Sequence, residues 1–578
     1  QLSTINYQLS TINYQLSTIN CSRTMDNLNQ VALLTDPFLQ LPTENSVRVV
    51  WFTEFAGSHH IVAYGENFSQ TVTATTTKLS RTREDQKSHL EQVYPQTTNR
   101  DIWRHEAEVT GLTPNTKVPY RVTSVREDGQ SITSNSFSLA PKPLSGTPLK
   151  ILLTSDHQLK PMTAANLQKV VETVGIVDAV FFAGDLVNVP DRASEWFDDR
   201  RGCAFFPCLQ GRANYQLTKN NIKTVYQGGA LIQNAPIFTA IGNHEVMGRF
   251  SMDISLDDQF DDTLPREVAA KIFTTRILNA DVRKGDDWVK DYAFNTDTYE
   301  EIFTLPVSQV GGKKYYAVTF GDVRLVVLYV TNMWRTPSLA PNARGKYKEC
   351  DRTLNTPENW GYGQHIFEPI QPGSTQYQWL ESELNSVEFK QAKYKVVMLH
   401  HPLHTLGDNI VPAYTNPRQI IERDADGNIT AVRYEYPKEQ DYLSRDIVPL
   451  LEKSGVQLVL YGHSHLWNRF VSPNGTHYLE TSNVGNSYGA ALEEKQRPVP
   501  NGYQEEYTSI GDPYGLDPIL PAIAPLFGSD GKPLPYIASN DITAFSILDT
   551  ETGTVSSYRW DTRDRELEVV KFDEFALK

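Results

Sequence analysis

The chain has 578 residues, too many for one simple core, so two to four domains or one large domain with insertions are expected. Hydrophobic residues make up 39% and charged residues 21%, which excludes a mostly disordered chain. With 54 Lys and Arg against 69 Asp and Glu the net charge is −15, so neither nucleic-acid binding nor association with an anionic membrane is expected.

The chain opens with QLSTINY, QLSTINY and QLSTINC, a repeat tract without charged coiled-coil partners. The first Met is Met25, and residues 1–24 are expected to be translated tandem-repeat DNA, which makes Cys21 irrelevant. The stretch after Met25 has no long apolar segment, so no signal peptide is read and a cytoplasmic protein is expected. A misassigned start codon would allow an exported form. No apolar run approaches the roughly 18 residues of a membrane-spanning helix.

From Val47 onward short alternating runs (SVRVVWFTE, HHIVAYG, IWRHEAEV, VPYRVTSV, ITSNSFSL) sit between turn-rich stretches. They predict an all-β sandwich over residues 45–143. The segment GLTPNTKVPYRV, with Tyr120, resembles the end of a fibronectin type III-like domain. Pro141 and Pro143 form a linker.

At Leu149 the rhythm changes. LKILLTS, DAVFFA, PIFTAI, RLVVLYV, YKVVMLH and VQLVLY read as strands buried on both faces. TAANLQKVVETV, TQYQWLESELNSV and IVPLLEKS read as helices between them, so residues 149–575 form an α/β unit. Polar stretches near 190–234, 245–312, 335–372 and 405–445 read as loops or insertions over an active face. The chain closes on a hairpin, TAFSILD–TETG–TVSSYRW. Cys203 and Cys208 in CAFFPC are either a disulfide of an exported protein or two reduced thiols. No CxxC pair exists, so a zinc knuckle is not expected.

Five buried strands run into polar residues: Asp156; Gly184-Asp185; Gly242-Asn243-His244-Glu245; His400-His401-Pro402; and Gly462-His463-Ser464-His465. Ligands of open α/β sheets bind beyond the carboxyl ends of strands. A carboxylate there can bridge two cations about 3.5–4 Å apart, and Asp185 is the expected bridge. Imidazole with carboxylate suits Fe, Mn or Zn better than Ca. With 34 Gly and 13 His in 578 residues, about 0.02 occurrences of G-H-x-H arise by chance, so GHSH is not read as incidental.

At these residues the chain resembles the calcineurin-like metallophosphoesterases, whose pattern is D-x-H, GD, GNH-D/E, H and GHxH in this order. The preceding β-sandwich makes it more similar to the purple acid phosphatase branch. The resemblance implies a four-layer α/β/β/α metallophosphoesterase sandwich preceded by the fibronectin type III-like domain. It also implies two divalent or trivalent metal ions and a small phosphoester substrate. Carried over, Asp156 and His465 bind the first metal, Asp185 bridges, and Asn243, His400 and His463 bind the second. His244 is the acid beside the leaving group. His401 is expected to point away from the metals, and His404 to lie on the surface, with a substrate-facing position as the alternative.

Two departures stand out. Gln158 occupies the histidine position of D-x-H, with His157 one place early and facing the other side. Asn188 occupies the position of the tyrosine in GDxxY. Gln158 through its amide oxygen, or Asn188, stands as a neutral substitute ligand. The activity implied is acid phosphatase-like phosphomonoester hydrolysis. The alternatives are a phosphodiesterase on nucleotides or lipid head groups, and a degenerate phosphatase fold serving as a binding module. Lacking the tyrosinate, the purified, metal-loaded protein should be colourless; a visible tyrosinate–iron absorption band would contradict this reading.

Overall fold

Period-2 alternation sets the two layers at the heart of the molecule. In the strands Val323–Val327, Tyr394–Met398 and Leu458–Tyr461, Leu325, Val327, Val396, Met398, Leu458 and Leu460 face one core. Val326, Val397, Val459 and Tyr461 face a second. Both faces are apolar, as parallel strands covered on each side require. The computed structural model describes residues 31–276, 282–410, 413–501 and 508–578. The heptad tract 1–24, with Cys21, lies outside the described residues.

Six strands form one sheet, in the order Ile237–Thr239, Ala179–Phe182, Lys150–Thr154, Ile542–Asp549, Thr554–Asp561 and Val570–Ala576. The first three run parallel, and the last three add antiparallel. Seven strands form the other sheet: Tyr316–Phe320, Val323–Val327, Tyr394–Met398, Leu458–Tyr461, His477–Thr481, Trp467–Val471 and Tyr536–Ile537. The two sheets share one core. The helix Thr163–Val174 packs on the first sheet through Leu167 and Val170. Thr375–Leu384 and Val448–Lys453 pack on the second through Leu380, Leu384 and Leu451. This is the four-layer α/β/β/α arrangement.

The closing hairpin gains a third strand, Val570–Ala576, whose apolar residues Val570, Phe572 and Phe575 are interrupted by the adjacent charges Asp573 and Glu574. The long polar stretches carry structure of their own. They hold the hairpins Tyr215–Lys219/Ile222–Tyr226 and Arg418–Arg423/Ile429–Glu435, and the helices Arg266–Arg276 and Asp297–Ile302. Cys203 and Cys208 are free and buried in the shared core.

The N-terminal strands form a four-stranded and a five-stranded sheet around Val49, Trp51, Val62, Tyr120 and Val122. The run ITSNSFSL divides between two short strands, Ser131–Thr133 and Phe137–Leu139. This sandwich is welded to the larger unit. Phe52 packs 5.0 Å from Phe197 and 5.5 Å from Phe206. Tyr120 Oη donates to the Gln233 carbonyl at 2.7 Å. Arg83 pairs with Asp191 at 2.6 Å with both side chains buried. No helix among the described residues is long and apolar enough to cross a membrane.

Inside the sandwich the rings of His60 and His105 stack at 3.7 Å. Burial, with His60 and Arg104 nearby, pushes His105 down to about 3. The folded-state value lies below the unfolded one, so the stability it contributes is complete above about pH 6.5 and is lost as the pH falls from there towards 3. Between pH 7 and 5 this single group should cost about 2 kcal/mol. Urea melts of His105→Gln at the two pH values should show a loss smaller than wild type by that amount; an unchanged loss would contradict it.

Candidate metal centre

The parallel strands deliver the motif residues to one edge, and their glycines let the loops meet. A Cβ on Gly184 would lie 2.7 Å from the Gly242 nitrogen and 2.9 Å from His400 Nδ1. One on Gly242 would lie 2.1 Å from Asp185 Oδ1, and one on Gly462 2.1 Å from Asp156 Oδ2. The motif glycines are therefore required by close approach of the chain to the carboxylates.

Asp185 is buried at the junction. Its Oδ1 accepts from the His244 backbone N–H at 3.0 Å. Its Oδ2 accepts from Gln158 Nε2 at 2.7 Å and lies 3.2 Å from His400 Nε2. Burial opposes its ionisation, but His400 and His244 outweigh burial and hold it below the ordinary carboxylate range. Conversely, burial disfavours charge on His400, while Asp185 outweighs this and raises it to about 10. A bound cation would replace that proton, since metal binding displaces protons from its ligands.

The other histidines converge on the same point. His465 Nε2 lies 3.4 Å from Asp156 Oδ1. Both Asp156 oxygens accept from the His463 N–H, at 3.1 and 3.0 Å. His463 Nδ1 lies 3.2 Å from Asn243 Oδ1. Burial and the neighbouring imidazoles push His463 well below its usual value, so its ring is neutral and its lone pair available. His400, His465 and His244 each direct Nδ1 at a backbone carbonyl, of Ala183, Asn486 and Asn188 respectively. A carbonyl only accepts, so each Nδ1 carries the proton and each Nε2 is left for a ligand or a proton.

Two groups could hold a cation: Asp156, Asp185 and His465; and His400, His401 and His463. Within each, the candidate ligand atoms lie within 4.8 Å of one another. His401 is therefore not turned away, contrary to the expectation from strand alternation. The strand ends at Met398, and the loop that follows stacks the His401 ring 4.0 Å from His463. His404 is not at the surface either. It is buried, and its Nδ1 lies 2.9 Å from Asp512 Oδ2. His157 faces the core, 3.0 Å from Thr154 Oγ1 and edge-on to Phe182.

The donor set fits cations. Gln158 Oε1 is buried without a hydrogen-bond partner among the described residues, a costly state that a metal would relieve, and His400 Nε2 has only the Asp185 oxygen 3.2 Å away. Gln158 thus enters the centre with its side chain. Asn188 enters through its backbone, accepting from His244 and donating to Glu195 Oε2 at 2.6 Å.

Two buried glutamates act beneath the ligands, Glu245 of the GNHE motif and Glu480, which carried no signal in the sequence. Glu245 receives the backbone N–H groups of Asp185, Leu186 and Gly242 at 2.7–2.8 Å, which locks two motif loops together. Burial and Asp185 push it up to about 8. Glu480 does the same for GHSH, accepting from Ser464 N–H, Thr405 Oγ1 and Asn468 Nδ2. A cavity of about 190 Å³ opens onto the centre, lined by Lys160, His244, Phe260, Trp334, Asn409 and Tyr488 among others. Asp156, Gln158 and Leu159 have φ of 57°, 38° and 54°, left-handed values for non-glycine residues. Each costs on the order of 1–3 kcal/mol, so the DHQLK loop is held in shape by its surroundings.

Comparison with known proteins agrees with this geometry. The family model described as calcineurin-like phosphoesterase matches residues 149–466, more than half of the chain. The model for the purple acid phosphatase N-terminal domain matches residues 35–139. A probable purple acid phosphatase 20 of Arabidopsis thaliana is 24% identical over 206 residues, covering 33% of this chain and 42% of that protein. This chain thus spans less than half of that relative's length. The purple acid phosphatase PPD1 from yellow lupin (Lupinus luteus) seeds has the same fold, with a TM-score of 0.51 at 15% identity, covering 93% of this chain and 73% of that one.

Proposed function

The chain belongs to the calcineurin-like phosphoesterase family, and from that premise we propose that it hydrolyses phosphoric monoesters with two metal ions. The observation that carries the reading is the convergence of two buried ligand groups on either side of the Asp185 carboxylate. Asp156, Asp185 and His465, with Gln158 Oε1, would hold one ion. Asp185, Asn243, His400 and His463 would hold the other, with His401 beside them. The mixture of imidazole, carboxylate and amide suits Fe, Mn or Zn. Such ions supply a hydroxide near neutral pH and neutralise charge on the phosphoryl oxygens.

The protein's own groups complete the chemistry. Asn188 fixes the His244 ring through Nδ1, so Nε2 is the atom that holds or gives up a proton at the cavity. Phe260 stacks 5.0 Å from that ring and limits its rotation. His244 thus donates to the leaving oxygen as a general acid. Glu245 and Glu480 tie the loops that carry the ligands together beneath the cavity. The substrate is a small phosphoester, sized to the cavity.

Metal-loaded protein should hydrolyse 4-nitrophenyl phosphate. His244→Ala should lower kcat by about 10²–10⁴-fold with metal content unchanged. Loss of both ions in that variant would make His244 a ligand, and inactivity of the wild-type protein with its metals in place would refute the proposal.

A further inference from the structure

Among the described residues lining the cavity, Lys160 carries the sole fixed positive charge. Its ammonium makes no hydrogen bond or ion pair with any described residue, although Asp185, Asp156 and Glu195 are near enough to act on it electrostatically. A largely buried ammonium is costly unless something anionic joins it. The three carboxylates that act on it are engaged elsewhere: Asp156 with the His463 N–H, Asp185 with Gln158 and His244, Glu195 with Arg192 and the Asn188 and Val189 N–H groups.

The backbone fixes where the amine stands. The left-handed residues Asp156, Gln158 and Leu159 turn the loop back on itself, and Pro161 restricts Lys160 to an extended conformation. The Lys160 N–H donates to the His157 carbonyl at 2.6 Å, and its own carbonyl accepts from the Thr163 N–H at 3.1 Å. Both ends of the residue are thus tied down while its side chain lines the cavity beside His244 and Asp185.

We propose that the Lys160 ammonium donates to a non-bridging oxygen of the bound phosphoryl group and so selects dianionic monoesters over monoanionic diesters. This rests on the hydrolase reading above and names its substrate class. A monoester keeps a second anionic oxygen after the metals have claimed theirs, whereas a diester offers an esterified one that accepts weakly. The ammonium is a mobile point donor on a flexible stem, suited to an oxygen that shifts during in-line displacement.

The test uses metal-loaded, full-length protein and its Lys160→Met and Lys160→Arg variants. Inorganic phosphate is titrated by calorimetry, and kcat/KM is measured for 4-nitrophenyl phosphate and for bis(4-nitrophenyl) phosphate. In K160M, phosphate affinity and monoester kcat/KM should both fall roughly 10- to 100-fold, the loss of one charge-assisted hydrogen bond. Diester kcat/KM should change by less than about 3-fold, and K160R should recover most of the loss. Unchanged phosphate affinity, an unchanged monoester-to-diester ratio, or loss of metal from K160M would each overturn the assignment. A wild-type chain that cleaves neither ester would instead sink the hydrolase reading, and the phosphate titration would still decide what Lys160 binds.

Discussion

The Asp185 carboxylate is where the protein concentrates its electrostatic demand. It is buried, it is flanked by a second carboxylate on Asp156, and it faces imidazoles rather than arginine or lysine. Two buried acids need positive charge beside them, and the His400 imidazole, raised by Asp185, supplies it to that carboxylate. Two cations held by the two candidate groups would meet that demand. Much of the nearby structure serves to keep the demand in place: glycines remove Cβ atoms, and backbone N–H groups and carbonyls orient the rings.

Around this centre the molecule is built in successive layers of support. The strands end together because two sheets share one core, and each strand tip is fixed by its neighbour's register. Glu245 and Glu480 then staple the loops. Glu245 gathers three donors and Glu480 four, which makes each a structural hub although both have raised pKa values. The outer rings of Phe260, Trp334 and Tyr488 shape the cavity, and Tyr488 lies 4.9 Å from His465 with its ring nearly parallel. The β-sandwich contributes rigidity at a distance, through Phe52 and the buried Arg83–Asp191 pair.

Much of this was legible before any coordinates. A strand that ends in GD, GNHE or GHSH announces a site because glycine, carboxylate and imidazole seldom meet there by chance. The helix Thr163–Val174 and the strand Tyr394–Met398 follow directly from periodicity. What failed did so for a physical reason. His401 was assigned by strand alternation, but the strand stops at Met398 and the loop obeys no period. His404 reads as polar and exposed until the excursion bearing Asp512 folds over it, 108 residues away in sequence. Lys160 belongs to no sequence motif, and the left-handed turn before it brings it to the cavity. Glu480 sits in an ordinary strand, and its role depends on which loop packs against it.

The account stands or falls on cations gathered around Asp185, and metal stoichiometry is its most direct test. Full-length protein loaded with Fe, Mn or Zn, dialysed and analysed by elemental mass spectrometry should retain two ions per chain, and Asp185→Asn should lose at least one of them while keeping its fold by circular dichroism. A well-folded wild-type chain that retains fewer than one ion, or an Asp185→Asn chain that retains both, would contradict it.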